Sequence, residues 1–127
     1  MLALKLLLNL YKVMEYTLDA TNKPLGRLAS EVAVYLRGKD TPTFERHLKP
    51  KNKVRVINAG HITVSGSKRE DKVYLRHSGY PGGQKGRTLN ELATKKGMSE
   101  ALKIAVRGML PDNKLRSIMM NNLTITE

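Results

Sequence analysis

The chain contains no cysteine. Disulfides, thiol nucleophiles and thiolate metal sites are therefore excluded, and the composition fits a reducing compartment. Histidine is scarce as well. His47, His61 and His77 are scattered, none pairs with another at the i, i+4 spacing of a helical zinc site, and no carboxylate cluster accompanies them. Neither a metal nor a cofactor is expected, and these histidines are read as structural or contact residues. Acidic residues are few, 11 against 23 lysines and arginines. The longest apolar run, Met1 to Val13, is too short to span a bilayer as a helix. It also fails as an export signal, because Lys5 and Lys12 interrupt it, Glu15 follows, and neither a leading basic region nor a small-x-small cleavage site is present. Residues 1–14 are expected to be an N-terminal extension, either an extra helical turn packed on the body or sequence upstream of an alternative start at Met14. Residues 15–127 are expected to form a single domain.

Phosphate-binding signatures are missing too. There is no G-x-x-x-x-G-K-[ST], the nearest approach running from Gly60 to Lys68 with the wrong spacing, and no G-x-G-x-x-G after a strand. No nucleophile, base and orienting acid stand together, so an enzyme is not expected, nor is a small-molecule substrate. The sequon at Asn122 is a chance occurrence in a chain without an export signal. Internal repeats, low-complexity tracts and linkers are absent.

What the chain does have is positive charge. With 127 residues and 40% hydrophobic content it can build one core that buries roughly two-thirds of its unfolded surface. A formal charge of +12 with a pI near 10.1 opposes that compaction by self-repulsion, and is expected where a polyanion neutralises it. Nucleic acid and an anionic membrane surface are the candidate polyanions, and solubility alone is the bland alternative.

Glu15 to Asp19 reads as a short strand. Leu25, Leu28, Ala29, Val32, Ala33 and Leu36 then fall on one stripe of a helix, with Asn22 as the expected amino cap, Pro24 in the first turn and Gly38 at the carboxyl end. A polar loop runs from Lys39 to Lys53, and Val54, Val56 and Ile57 form a second strand. Ile62 and Val64 hint at a short third element before a turn over Ser65 to Asp71, and Val73 with Leu75 suggest another strand. Thr88 to Glu91 makes a T-x-x-E capping box opening a helix to about Lys96. Ser99 is the expected cap of the next helix, with Leu102, Ala105, Val106 and Met109 on one face, and Asp112 of a further one with Leu115, Ile118 and Met119 inward. Leu123 and Ile125 alternate with threonines in a final strand. Strand, turn and amphipathic helix in this order indicate an α/β domain.

The cations fall into blocks. Arg27 and Arg37 flank the apolar stripe of the first amphipathic helix, and Lys39, Arg46, Lys49, Lys51 and Lys53 follow in the loop, a continuous edge able to grip phosphates. A solvated helix face accounts for the same pattern without a ligand. The next block is Lys68, Arg69 and Lys72, followed by Arg76, His77, Tyr80, Lys85 and Arg87 in a glycine-rich stretch. Glycines permit close backbone approach, Tyr80 offers a stacking face, and the cations supply phosphate donors, a combination suited to RNA. Arg107, Lys114 and Arg116 form the last block.

Four segments together carry a family resemblance: DATNKPLGRLAS at 19–30, VINA at 56–59, DKVYLRHSGYPGG at 71–83 and AVRGMLPDNKL at 105–115. In order and spacing they resemble the signature blocks of the large-subunit ribosomal protein family uL13 (bacterial L13), over roughly Tyr16 to Ile125. The resemblance implies a three-layer α/β/α domain with a mainly parallel sheet of about four strands. It further implies a cytoplasmic, ribosome-bound scaffold that contacts large-subunit rRNA and neighbouring ribosomal proteins early in subunit assembly, with no membrane partner. Its RNA-facing blocks fall on Arg27, Arg37, Lys39, Lys72 and His77 to Lys85, then on Arg107, Met109, Pro111 and Lys114.

Three places depart from the family pattern. His47 to Lys53 replaces an acidic, Gly-containing stretch. Arg116 and Ser117 replace a Gly-Arg pair, and Asn121 and Asn122 stand where basic residues are common. A duplex-DNA reader is the rival nucleic-acid class, but the first amphipathic helix shows only two arginines off its apolar stripe rather than a row of base-reading side chains. Binding to a messenger RNA would use the same surface as rRNA.

Overall fold

The computed structural model describes residues 1–10 and 13–127. The elements, in chain order, are α1 (Leu2–Leu10), β1 (Glu15–Asp19), α2 (Leu25–Arg37), β2 (Lys53–Ile57), a 3-10 turn at Ala59–His61, α3 (Lys68–Asp71), β3 (Val73–His77), β4 (Gln84–Thr88), α4 (Leu89–Lys96), α5 (Met98–Met109), α6 (Leu115–Asn121) and β5 (Leu123–Ile125). The protein is a mixed α/β structure with two separate sheets. One is parallel, in the order β1-β2-β5, and the other is the antiparallel pair β3-β4.

Alternation sets the central strand. Val54 and Val56 point into the core at 1% and 0% exposure, while Lys53 and Arg55 stay outside. Tyr16 and Leu18 of β1 and Leu123 and Ile125 of β5 pack beside them. Helix α2 lies against this face with Leu28, Ala29, Val32, Ala33 and Leu36, and α5 closes the core with Leu102 and Val106. A second, smaller cluster of Leu89, Leu92 and Ala101, with Val64 and Tyr74 against it, seats the base of the β3-β4 hairpin on α4 and α5. The Lys72 carbonyl accepts from the Leu89 N–H at 3.0 Å, which fixes that base in register with α4.

The short element foreseen around Ile62 and Val64 consists of one parallel bridge, between Thr63 and Pro24. That bridge explains why Asn22 does not cap α2. Asn22 adopts a left-handed φ of 57°, tolerated by asparagine, and its N–H donates to the His61 carbonyl. Pro24 occupies the cap position, and the Leu25 N–H is satisfied by the Thr63 carbonyl at 3.2 Å, so no side-chain cap is required. Two other expected caps are also displaced. Met98 precedes Ser99 in α5, and the Ser99 N–H donates to the Glu127 carboxylate at 3.2 Å. In front of α6 the Asn113 side chain accepts from the Leu115 N–H at 3.1 Å, while Asp112 pairs with Arg116 at 3.0 Å. Met109 is exposed rather than inward. The helix ends there and the chain turns extended, which puts Leu110 into the core instead. Thr88 caps α4 as the T-x-x-E box foretold, accepting from the Glu91 N–H.

The loop after α2 is tethered at both ends. Gly38 closes the helix with φ 76° and ψ 20°, its N–H donating to the Tyr35 carbonyl. The Asn52 amide, buried before β2, donates to that same carbonyl at 3.1 Å. Tyr16 stacks on Tyr35 with ring centroids 4.5 Å apart and donates its hydroxyl hydrogen bond to the Asp40 carboxylate. That bond, reinforced by burial and the negative charge of Asp40, pushes the Tyr16 pKa up to about 12.

Two outcomes follow. A Cβ added at Gly38 meets its neighbours only at ordinary contact distance, 3.6 Å from the Asn52 amide. Gly38→Ala therefore pays only the left-handed strain and should lower unfolding free energy by about 1–2 kcal/mol in urea titration. In alkaline ultraviolet titration Tyr16 should ionise later than a free phenol, and Asp40→Asn should bring it back towards 10. The sign is that of a raised pKa: the contribution is present below pH 10 and lost as pH climbs through about 12.

Candidate nucleic-acid interface

The β3-β4 hairpin turns a glycine-rich segment into a two-faced ribbon. Its register sets Tyr74 opposite Arg87, Leu75 opposite Gly86, Arg76 opposite Lys85 and His77 opposite Gln84. Because strand side chains alternate, Arg76, Lys85 and Arg87 share one face with Tyr74, and Val73, Leu75 and Gly86 share the other. All three cations are exposed. Lys72 lies over the Tyr74 ring at 5.5 Å and extends the cationic face to the hairpin base, where Lys68 and Arg69 of α3 are also exposed. Between residues 68 and 87 there are six lysines and arginines against Glu70 and Asp71. Directly opposed like charges destabilise a hairpin, so the Arg76–Lys85 pair costs stability until an anion lies across it.

The tip of the hairpin is tightly folded. The Ser78 N–H donates to the Gly83 carbonyl at 3.2 Å and the Gly83 N–H to the Tyr80 carbonyl at 3.0 Å. Gly79 and Gly82 hold φ of 86° and 72°, and a Cβ on Gly83 would stand 2.9 Å from the Tyr80 carbonyl oxygen. Glycine is thus demanded by conformation at the first two and by space at the third. His77 accepts the Gly79 N–H at Nδ1 (2.9 Å), which leaves its Nε2–H to point outward as a donor. Tyr80 is three-quarters exposed at the tip, its ring open for stacking.

A second group surrounds the carboxyl end of α2. The Arg37 guanidinium lies 5.8 Å from the Phe44 ring centroid and is half-buried by it, whereas Lys39, Arg46, Lys49 and Lys51 are exposed along the tethered loop. Lys53 has left the loop. It opens β2 and, with Arg55, stands on the face of the parallel sheet that α2 does not cover, beside Thr17 and Thr124. A concavity of about 320 Å³ is lined there by Lys53, Arg55, Asn121 and Asn122. Arg55 belongs to no charge block in the sequence, yet the same alternation that buries Val54 and Val56 exposes Lys53 and Arg55.

The third group lies between α5 and α6. Arg107, Lys114 and Arg116 line one groove there, joined by Lys103, which sequence reading also missed. Lys103 and Arg107 are four residues apart on α5, a spacing that signals a shared helix face. Arg27 sits elsewhere, exposed on the first turn of α2. One turn on, the Ser30 hydroxyl reaches the Met109 sulfur at 3.2 Å, so the Arg27 edge of α2 runs beside the end of α5. The expected site residues therefore form three surface groups, with Lys53 on the outer face of the parallel sheet and Arg27 apart from them. Among the described residues no cluster of His, Asp and Glu is suited to a metal, and no helix is long and apolar enough to cross a membrane.

Comparison with known proteins matches the sequence to one family. The family model described as ribosomal protein L13 matches residues 14–127. Among curated relatives, the large ribosomal subunit protein uL13 of Natranaerobius thermophilus is 49% identical over 110 residues, covering 87% of this chain and 76% of that protein. Its counterpart in Symbiobacterium thermophilum is 47% identical with the same coverage, and that of Listeria welshimeri is 46% identical, covering 87% of this chain and 75% of the relative. A family model spanning nearly the whole chain, and relatives at almost half identity over most of both lengths, establish that this chain belongs to the ribosomal protein L13 family.

Proposed function

We propose that this protein is a structural constituent of the large ribosomal subunit in the cytoplasm, holding folded rRNA through its basic surface and supporting early subunit assembly beside neighbouring ribosomal proteins. The observation that carries the reading is the unbalanced cationic face of the hairpin, where Arg76, Lys85 and Arg87 lie side by side without a carboxylate among them. Such a face is stabilised by phosphates, whose condensed counterions are released when lysines and arginines replace them. The loop of Lys39, Arg46, Lys49 and Lys51, the Lys53–Arg55 strand face and the Arg107–Arg116 groove extend the same chemistry to other sides of the core. Contacts on several sides fit a scaffold that ties RNA segments together better than a reader of one duplex groove.

In the same reading, residues 15–127 act as one RNA-binding domain and residues 1–14 as an extension. The Pro24–Thr63 bridge supports the finer architecture expected from the family, in which a fourth strand widens the parallel sheet.

Sucrose-gradient sedimentation of a lysate tests the assignment directly. The protein should co-migrate with the large subunit at low and moderate salt, and its recovery at the top of both gradients would refute the reading. Binding to purified large-subunit RNA, measured against salt, should give a slope of log K on log salt of roughly −6 to −7, as expected for about eight neutralised phosphates. Replacing Arg76, Lys85 and Arg87 together by alanine should flatten that slope by about 2 to 3 with unchanged circular dichroism, since each phosphate contact contributes about 0.7–0.9. Loss of the dichroism signal would reassign these residues to structure.

A further inference from the structure

The groove between α5 and α6 differs from the hairpin, and of the two concave cationic surfaces described it is the one with an exposed aliphatic side chain in its wall. The hairpin presents a flat row of positive charges, suited to a phosphate backbone. The groove is a concavity of about 420 Å³, within the range of about 300–1,000 Å³ typical of sites for small organic ligands. Its walls combine three chemistries. Lys103 and Arg107 supply cations from α5, Ile104 and Met120 supply an aliphatic surface, and Asn113 and Asn121 supply amides.

The arrangement follows from the helices. Lys103, Ile104 and Arg107 occupy the side of α5 away from its buried stripe of Ala101, Leu102 and Val106, so the groove forms without disturbing the core. Ile104 is 38% exposed, a large aliphatic side chain left open between two cations. The opposite wall is held in place from outside: Asn113 accepts the Leu115 N–H through its Oδ1, which turns its NH₂ away from that bond, and Asp112 fixes Arg116. A bare phosphate would need only the cations. A paired base inside a helix could not enter the groove, whereas an unstacked one could lay its face on the aliphatic wall or an arginine plane and offer its edge to the amides. Glu100 at the rim adds an acceptor for an exocyclic amine and opposes an acidic peptide.

We propose that the α5-α6 groove takes one unpaired nucleotide of the bound RNA, its phosphate on Lys103 and Arg107 and its base over Ile104 and Met120. This inference rests on the RNA-binding reading and deepens it. Lys103 and Ile104 become site residues, and the RNA class becomes helices interrupted by a bulge or an extruded base.

Fluorescence anisotropy with two short RNA hairpins of equal length, one fully paired and one carrying a single bulged adenosine, tests it on the full chain. The bulged hairpin should bind about tenfold more tightly. Ile104→Ala, which removes the aliphatic wall and leaves the charge of the groove unchanged, should remove most of that preference, weakening the bulged hairpin more than the paired one. Lys103→Ala, which removes a cation beside that wall, should reduce the preference independently. The hairpin triple variant should weaken both RNAs alike. Equal affinity for the two RNAs in the parent protein, or a preference that survives both groove substitutions, overturns the nucleotide site and leaves RNA binding intact. Failure to bind either RNA at low salt removes the RNA reading, and the groove assignment with it.

Discussion

Everything that faces outward in this protein depends on one packing event, the burial of the α2 stripe between β2 and α5. Leu28, Val32 and Leu36 are at most 1% exposed, and they meet Val54 and Val56 on one side and Leu102 and Val106 on the other. The chain has no cysteine with which a disulfide could reinforce this contact. Removing a buried leucine at such a place typically costs about 2–5 kcal/mol, a large share of the 5–15 kcal/mol that holds a domain together. The tethered loop leaves from the end of α2, the hairpin rests on α4 and α5, and the groove opens on the outer side of α5. Each cationic surface is therefore a projection from the same apolar sandwich.

That dependence sets a limit on charge. A formal +12 on a body of this size repels itself, and the chain has few carboxylates with which to compensate. Several of those carboxylates do structural work instead. Asp40 holds Tyr16 against the loop, Asp19 accepts from Thr21 and Asn58 at the β1 turn, and Glu127 caps α5. The hydrogen bonds from Thr21 and Asn58 keep the Asp19 pKa below the usual carboxylate value, so it stays charged where the backbone turns. The acids thus secure turns and helix ends near the core, and the hairpin face is left electrically unbalanced. A polyanion bound there, as proposed, would neutralise it.

Much of the architecture could be read from the sequence because it was written in local periodicity. The α2 stripe, the Val54–Val56 alternation, the Gly38 terminator and the Thr88 capping box depend on residues within a turn or two of one another. The misread positions share the opposite property. Asn22 was displaced as a cap by the Thr63 carbonyl, Ser99 by the carboxylate of Glu127 twenty-eight residues away, and Asp112 by its neighbour Asn113 once Arg116 had claimed it. At each of these ends an oxygen accepts from a first-turn N–H as expected, but a different acceptor supplies it, since only tertiary contact decides between candidates of similar propensity. The cations behaved likewise. Charge blocks marked the cations of the loop and of the glycine-rich stretch, although not the strand Gln84–Thr88 that folds that stretch into a hairpin, whereas Lys103 and Arg55 are single charges embedded in amphipathic elements, visible only when the non-apolar side of the helix or strand is given equal weight.

The glycine-rich tip shows why a basic surface of this kind is more than a sponge for anions. A flexible loop of lysines and arginines would bind phosphates but lose conformational entropy on doing so, of order 1–2 kcal/mol for each residue fixed. Here the tip from Ser78 to Gly83 is already closed by two backbone hydrogen bonds, with left-handed glycines at 79 and 82 and no room for a side chain at 83. His77 is held by the same turn, so its outward donor and the Tyr80 ring stand at set positions relative to Arg76 and Lys85. On the proposed reading, the ordering cost is met when the chain folds and not when RNA arrives. Affinity lost by giving up adaptable side chains is recovered as geometric selectivity, because an RNA whose phosphates do not match the hairpin's spacing gains the electrostatic attraction without the close backbone approach that the glycines allow.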